Sequence, residues 1–191
     1  MNFKQKIFMK LFQKERDTLY TIYKRRLIEL EQKEEYAKEC AENYEVVRLF
    51  FDFFKGDSLI GMEKNKRDEE VLVSCKNTKS DLWIMLHSRK YHAVNNHPRI
   101  MATKIEDFTT GKMYIRIDDI ITVNDNIGDG SIMMKYFIEE ARKTGAEYIS
   151  GELSSVDKEH FDRSEAFYKK HGFTVKFNDD RTSGSIELDL H

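Results

Sequence analysis

Apolar residues recur at steps of three and four along the first 54 residues of the chain. They form one stripe that contains Leu19, Tyr23, Leu27, Leu30, Ala37, Cys40, Ala41, Tyr44, Val47, Phe51 and Phe54. This spacing predicts a helix from about Phe3 to Phe54, and no proline interrupts it. The polar run "EQKEE" at 31–35 weakens the stripe, so a bend or a turn between two helices is expected there.

Short apolar runs replace this long period after residue 70. The runs at 71–75, 81–86, 99–105 and 112–123 are rich in β-branched and aromatic residues and predict consecutive strands, with a hairpin turn at 109–111. A helix (about 130–144), a strand (147–153), a helix (about 160–171) and two strands (172–177 and 184–190) follow. The polar segment "KGDSLIGMEKNKRDEE" is expected to be a loose connection. These patterns predict a helical N-terminal extension over 1–65 and an α/β domain over 66–191.

Composition fits one globular domain with an appendage. The chain has 191 residues, of which 40% are hydrophobic and 35% charged. Its 32 basic and 34 acidic side chains give a net charge of -2, which disfavours nucleic acid as a partner. Cys40 and Cys75 have no paired-ligand spacing, and the longest apolar run in the first 14 residues is three, too short for a signal peptide or a membrane span. We therefore expect a soluble, cytoplasmic protein.

Charge is unevenly distributed along the predicted N-terminal helix. Residues 1–33 hold nine Lys or Arg against four Asp or Glu, whereas residues 34–45 hold five Glu against one Lys. A basic amphipathic helix can bind an anionic membrane or partner. Packing on its own domain or on a second copy is the favoured interpretation, so self-association through the N-terminal helices is expected.

A glycine pair, Gly128 and Gly130, separates the last predicted hairpin strand from the next helix. Such a turn can serve chain geometry alone, or it can let phosphate groups reach the free amides of a helix N-terminus. A dinucleotide fold is disfavoured, because the third glycine of a G-x-G-x-x-G motif would fall on Met133. At the other end of this helix, Gly145 is placed to adopt a left-handed cap.

Two segments carry a resemblance to a known family. "DDIITVNDNIGDGSIMMKYFIEEARKTGAEYISGELS" and "FDRSEAFYKKHGFTV" together resemble the GCN5-related N-acetyltransferase (GNAT) superfamily across roughly residues 70–191. The resemblance implies an α/β fold with a mixed, mostly antiparallel central sheet flanked by helices, and acetyl-CoA as cosubstrate. It implies cofactor contacts at Ile121, Thr122 and Val123 for the pantetheine arm, and at Asn126, Ile127, Gly128, Asp129, Gly130 and Ser131 for the pyrophosphate.

The same resemblance implies direct acetyl transfer to an amine acceptor, with Tyr168 as the general acid that protonates the departing thiolate. Glu152 and Asp119 are the candidate bases, although a water-mediated route would need neither. Strand alternation predicts that Asp118 and Asp119 face opposite sides of the sheet. Within the loop, Asp125 replaces the family's usual Gln or Arg and Asp129 adds a second carboxylate. If these carboxylates point to solvent, the backbone donors can still bind the phosphates; if they do not, weaker cofactor binding is expected.

Histidines at 87, 92 and 97 recur every five residues. This spacing places successive side chains on opposite faces of a strand, so they are interpreted as loop or edge histidines and no metal site is expected. His171 is interpreted as a cap on the dipole of the last helix. The alternative to an enzyme is a non-catalytic CoA-binding or protein-interaction module with a helical dimerisation segment.

Overall fold

The structure, a computed structural model, describes residues 3–53, 56–88, 90–91, 97–124 and 126–191. The elements in chain order are α1 (Phe3–Phe53), β1 (Ser58–Lys64), β2 (Glu70–Asn77), β3 (Asp81–His87), β4 (Arg99–Asp107), β5 (Lys112–Ile121), α2 (Asp129–Lys143), β6 (Tyr148–Leu153), α3 (Phe161–Lys170), β7 (Thr174–Phe177) and β8 (Gly184–Asp189). A turn of 3-10 helix at Ser155–His160 leads into α3. Among these described residues, no helix is both long enough and apolar enough to cross a bilayer.

All eight strands form one sheet in the order β1-β2-β3-β4-β5-β6-β8-β7. Neighbouring strands are antiparallel except for β5 and β6, which are parallel. A parallel pair needs a crossover, and α2 supplies it. The prediction of a GNAT-like mixed, mostly antiparallel sheet with flanking helices and a long N-terminal helix is therefore confirmed.

The core lies between the sheet and one face of α2. Met133, Phe137 and Ala141 step along that face by four residues and are fully buried, as are the strand residues Ile84 and Ile115. A fully buried side chain of this size contributes about 1.5–3 kcal/mol relative to an exposed one. After α2 the chain turns through Gly145, whose φ of 78° confirms the expected left-handed cap.

Two expectations about the first third of the chain were wrong. The helix α1 runs without interruption through 31–35, where a bend or turn was expected. The supposed loose connection contains β1, an edge strand that pairs with β2 from Ser58–Cys75 to Lys64–Glu70. Because an edge strand buries few of its side chains, "SLIGMEK" lacks the apolar run by which the other strands were found.

The chain divides into two compact units, Met1–Glu45 and Val46–His191. In the first, the structure describes the helical residues 3–45. The second contains the sheet, α2, α3 and the end of α1, where Phe50 is buried and its ring contacts that of His87.

Candidate functional site

A gap between β5 and β6 marks the candidate site. The two strands pair only from Tyr114–Tyr148 to Ile117–Gly151. Beyond this point β5 stays paired with β4 as far as Ile121, and β6 stays paired with β8 as far as Leu153. Each strand therefore turns one backbone edge toward the gap, where its N–H and C=O groups can bond an extended ligand as if it were an added strand.

A bulge in β5 lies where the gap opens. Ala102 pairs with Ile117 and Met101 with Asp119, so Asp118 is the extra residue. Strict alternation, which predicted opposite faces for the two aspartates, does not hold across a bulge. Asp118 and Asp119 are both exposed. Bulges re-aim side chains and are over-represented beside active sites.

The predicted glycine turn follows β5 at the gap end of the sheet. Asn126 and Gly128 have φ of 62° and 96°, and Gly128 is the N-cap of α2. The amides of Ser131 and Ile132 donate to the Gly128 carbonyl at 3.0 and 3.1 Å. In the part of the chain that the structure describes, the amides of residues 129 and 130 have no backbone acceptor. The turn thus presents free donors at the positive end of a helix dipole.

Asp129 occupies the first turn of α2, but its carboxylate is turned into the protein. The residue is 1% exposed. Its Oδ2 accepts a 2.5 Å hydrogen bond from the Tyr91 hydroxyl, and its Oδ1 accepts one from the Asn65 side chain at 3.3 Å. Burial, followed by the hydrogen bond to Asp129, raises the pKa of Tyr91 to about 12. Tyr91 is therefore a neutral donor near pH 7. The second loop carboxylate, Asp125, lies outside the described residues.

The β1–β2 turn supports the glycine turn from another element. The Lys66 amide donates to the Ile127 carbonyl at 2.8 Å, and the Ile127 side chain is buried. Asn65 Oδ1 shapes the supporting turn by accepting from the amides of Arg67 and Glu69. The Lys66 side chain passes so close to Gly128 that a Cβ there would lie 3.2 Å from Lys66 Cγ. A basic residue therefore lies beside the turn.

The C-terminal end of α3 reaches the same turn. Lys170 Nζ donates to Ser131 Oγ at 3.0 Å, and His171 Nε2 lies 3.3 Å from that oxygen. Burial, and then the neighbouring Lys170, lower the pKa of His171. His171 is the C-cap residue of α3, and its side chain also lies against Ser131 in the first turn of α2. Lys170 is the charged group at this contact.

Gly130 lies close to the side chains of α3 and of the end of β5. A Cβ at this position would lie 3.4 Å from the Phe167 ring and 3.8 Å from Thr122 Cγ2. The aromatic face of α3 therefore packs directly on the turn. Lys66, Lys170 and Phe167 were missed as site residues because they approach the turn from distant parts of the chain, and no local pattern signals such contacts.

Tyr168, the predicted general acid, lies on α3 next to Phe167. It is 9% exposed, and its ring makes edge-to-face contacts with Phe167 and Phe173 at 5.4 Å between centroids in each case. The carbonyl of Tyr168 accepts from the amides of His171 and Phe173, which closes the helix end. The position of Tyr168 is therefore fixed by packing on both sides.

Both candidate bases lie on the strands that border the gap. Asp119 follows the bulge in β5, and Glu152 follows Gly151 in β6, so each lies within two residues of the last β5–β6 pair. Both side chains are exposed. Asp118 instead accepts from Thr103 Oγ1 at 2.6 Å and pairs with Arg116 at 3.0 Å.

Of the predicted pantetheine contacts, Ile121 ends β5 and is half-buried, Thr122 is exposed and Val123 packs partly against the core. The chain from β5 into the glycine turn therefore runs along the border of the gap.

His87 ends β3, an inner strand of the sheet, so its interpretation as a loop or edge residue was wrong, whereas His97 lies in the loop segment before β4, as expected. They are 3% and 4% exposed, and their rings lie 4.8 Å apart. Antiparallel pairing of β3 with β4 brings their positions together. His87 Nε2 lies 2.7 Å from Ser74 Oγ, and burial, followed by His97, lowers the pKa of His87 to about 3. His92 lies outside the described residues, which contain no group of three potential metal ligands.

Several solved structures are similar to this chain at low identity. The GNAT domain of S. lividans PAT is 7% identical, with a TM-score of 0.49, over 68% of this chain and 96% of that domain. The putative acetyltransferase yncA from Salmonella typhimurium, solved with acetyl-CoA, is 14% identical, with a TM-score of 0.44, over 58% and 65%. Arabidopsis thaliana Naa50, in complex with the bisubstrate analogue CoA-Ac-MVNAL, is 14% identical, with a TM-score of 0.43, over 56% and 72%.

No protein-family profile matches the chain. A relative is found at the sequence level in YocC of Bacillus subtilis (strain 168), which bears the description of an uncharacterized protein. The two are 31% identical over 143 residues, which is 71% of this chain and 79% of YocC. The chain therefore belongs to the family of YocC.

Proposed function

We propose that this protein is an N-acetyltransferase that uses acetyl-CoA and transfers the acetyl group directly to an amine acceptor in a ternary complex. One observation carries the proposal: the gap between β5 and β6 leads to a glycine turn where, among the described residues, the amides of residues 129 and 130 have no backbone acceptor. A gap bordered by strand edges suits an extended, amide-containing ligand, and a helix N-terminus suits its phosphates.

The residues at the turn fit a pyrophosphate. The amides of Asp129 and Gly130 are donors, and Ser131 adds a hydroxyl already bonded by Lys170. Lys66 adds a second basic side chain beside Gly128. Because the Asp129 carboxylate is buried and accepts from Tyr91 and Asn65, its oxygens do not lie on the outer surface of the turn where the phosphates would bind.

The pantetheine arm contains two amide groups. The backbone of Ile121, Thr122 and Val123 would bond these amides along the border of the gap, in the manner of strand addition. When bound, acetyl-CoA would supply an acetyl thioester. The acceptor nitrogen would bond the carbonyl carbon of the acetyl group as the carbon–sulfur bond breaks.

Tyr168 is the proposed general acid, which gives its hydroxyl proton to the departing sulfur. Its rigid packing between Phe167 and Phe173 supports this role, because a proton donor must be held within hydrogen-bond reach of its acceptor. The amine loses its proton to Asp119 or Glu152, directly or through water. These two exposed carboxylates at the gap favour an acceptor with a positive charge elsewhere in the molecule.

Calorimetric titration of acetyl-CoA into three proteins tests the cofactor site. Ser131→Asp adds a negative charge where the phosphates would bind, yet an acidic residue in the first turn stabilises a helix. Ser131→Asn is the neutral control of similar size. We expect wild type and Ser131→Asn to bind with similar affinity, and Ser131→Asp to bind at least about tenfold more weakly without loss of thermal stability.

Failure of wild type to bind acetyl-CoA would contradict the proposal. Equal binding by all three proteins would place the phosphates elsewhere. Binding of acetyl-CoA with no acetyl transfer to any tested amine would instead favour a non-catalytic CoA-binding module.

A further inference from the structure

The helical unit of residues 3–45 exposes a continuous apolar stripe. A soluble helix of this length is not stabilised by its own hydrogen bonds alone and normally buries such a stripe against another surface. From Leu19 to Tyr44 the stripe advances 25 residues in seven steps, an average of about 3.6 residues, which is close to the 3.5-residue period at which two helices stay in contact. Its large members are 42–67% exposed: Phe12, Leu19, Tyr23, Leu27, Leu30 and Tyr44.

The same helix has two halves of opposite charge. Residues 4–26 carry eight basic and two acidic side chains, whereas residues 29–45 carry seven acidic and two basic ones. An anionic membrane would attract the first half and repel the second. A parallel pair of these helices would place like charges together at both ends. An antiparallel pair would place each basic half against an acidic half.

We propose that residues 11–45 of α1 bind the same segment of a second copy of this chain in an antiparallel pair. A two-fold axis near Ile28 pairs this segment with itself and sets two apolar pairs opposite each other. Phe12 then faces Tyr44 of the second copy, and Leu19 faces Ala37. The same register sets Lys14 opposite Glu42 and Arg25 opposite Glu31. These contacts favour the antiparallel arrangement, although Asp17 faces Glu39 in the same register.

Charge reversal in the full-length chain tests the arrangement. One variant carries Lys14→Glu, Lys24→Glu and Arg25→Glu, a second carries Glu31→Lys, Glu34→Lys and Glu42→Lys, and a third carries all six changes. Sedimentation equilibrium should show a wild-type dimer, dissociation constants raised about tenfold or more in both triple variants, and recovery in the sixfold variant. Far-UV circular dichroism checks that each variant keeps its helix content.

A parallel pair would not give this pattern, because its like-charge contacts stay alike after either triple change. A monomeric wild type at micromolar concentrations overturns the proposal, and so does a monomer that binds phosphatidylglycerol vesicles. Triple variants that dimerise as tightly as wild type overturn it as well.

The exposed Cys40 gives an independent test of orientation. In the antiparallel pair the two copies of Cys40 are separated by 24 residues of helix, or about 36 Å, and cannot form a disulfide. Arg16 lies opposite Cys40, so Arg16→Cys should give an intermolecular disulfide to Cys40 under mild oxidation, mapped by mass spectrometry. The buried Cys75 does not compete. A Cys40–Cys40 disulfide in the wild-type dimer would contradict the arrangement.

Discussion

The Tyr91 hydroxyl donates a hydrogen bond to Oδ2 of Asp129 across 2.5 Å, inside the protein and at the first turn of α2. The contact joins the segment after β3 to the glycine turn and holds a carboxylate away from the turn's outer surface. Burying a carboxylate costs free energy unless hydrogen-bond donors replace the water that it loses. The donors to Asp129 are therefore expected to stabilise the fold.

Tyr91→Phe removes this donor and leaves Asp129 with Asn65 as its remaining described side-chain donor. We expect the free energy of unfolding, measured by urea denaturation, to fall by about 1–3 kcal/mol. Tyr148→Phe is a matched control, because Tyr148 is half-exposed. It should change the free energy of unfolding by less than about 0.5 kcal/mol. An equal effect of the two substitutions would show that the contact with Asp129 does not stabilise the fold.

The two glycines of the turn should respond differently to alanine. Gly128 has a φ of 96°, and a Cβ there would lie 3.2 Å from Lys66 Cγ, so Gly128→Ala should destabilise the protein by about 1–2 kcal/mol. Gly130 lies in α2 without a positive φ, and its added Cβ would make ordinary contact with Phe167. Gly130→Ala should therefore be nearly neutral in thermal unfolding. The reverse order of the two losses would contradict the described turn.

His87 makes stability depend on pH. Burial and His97 lower its folded-state pKa to about 3 from 6.5, so the unfolded chain takes up a proton below pH 6.5 that the folded protein does not. The contribution of His87 to the free energy of unfolding is therefore fully present above pH 6.5. It is lost as the pH drops toward 3, by about 1.4 kcal/mol per pH unit. His87→Gln cannot titrate, so its stability between pH 7 and 5 should decline less steeply than that of wild type. Parallel declines would exclude His87 as the source.

Tyr168→Phe removes the proposed proton donor and keeps the ring packing on Phe167 and Phe173. With an active amine substrate we expect kcat to fall by about 100-fold, a typical loss for a general acid, while the Kd for acetyl-CoA stays within about twofold. Tyr136→Phe is the control, since Tyr136 lies on α2 and its hydroxyl donates a hydrogen bond to Glu63 on β1. An unchanged kcat in Tyr168→Phe would remove this residue as the acid.

Local pattern was enough to predict most of the elements and the position of the glycine turn. The apolar residues of α2 and of β2 to β5 recur at fixed periods because one side of each element is buried at the sheet. These elements could therefore be predicted from the sequence. β1 was missed because an exposed edge strand has little apolar signal. The register between strands could not be predicted either. The bulge at Asp118 depends on how β5 pairs with β4, which the sequence of one segment does not determine.

Contacts between distant segments limited the prediction of the site. Asp129 could be identified as a carboxylate in the turn, but its inward direction depends on Asn65 and Tyr91, which are 64 and 38 residues away. The same reason hid the approach of Lys66 and Lys170 to the turn, and the meeting of His87 with His97 across the β3–β4 connection. Side-chain direction at such points is a tertiary property.

Hydrogen–deuterium exchange of the full-length protein, with and without acetyl-CoA, tests the cofactor site directly. We expect slower exchange in peptides that cover the end of β5 and the glycine turn, at about residues 119–132, and at the end of β6, with little change in peptides from β1 to β3. Protection confined to other segments, or no protection at acetyl-CoA concentrations that saturate binding, would contradict a cofactor site between β5 and β6.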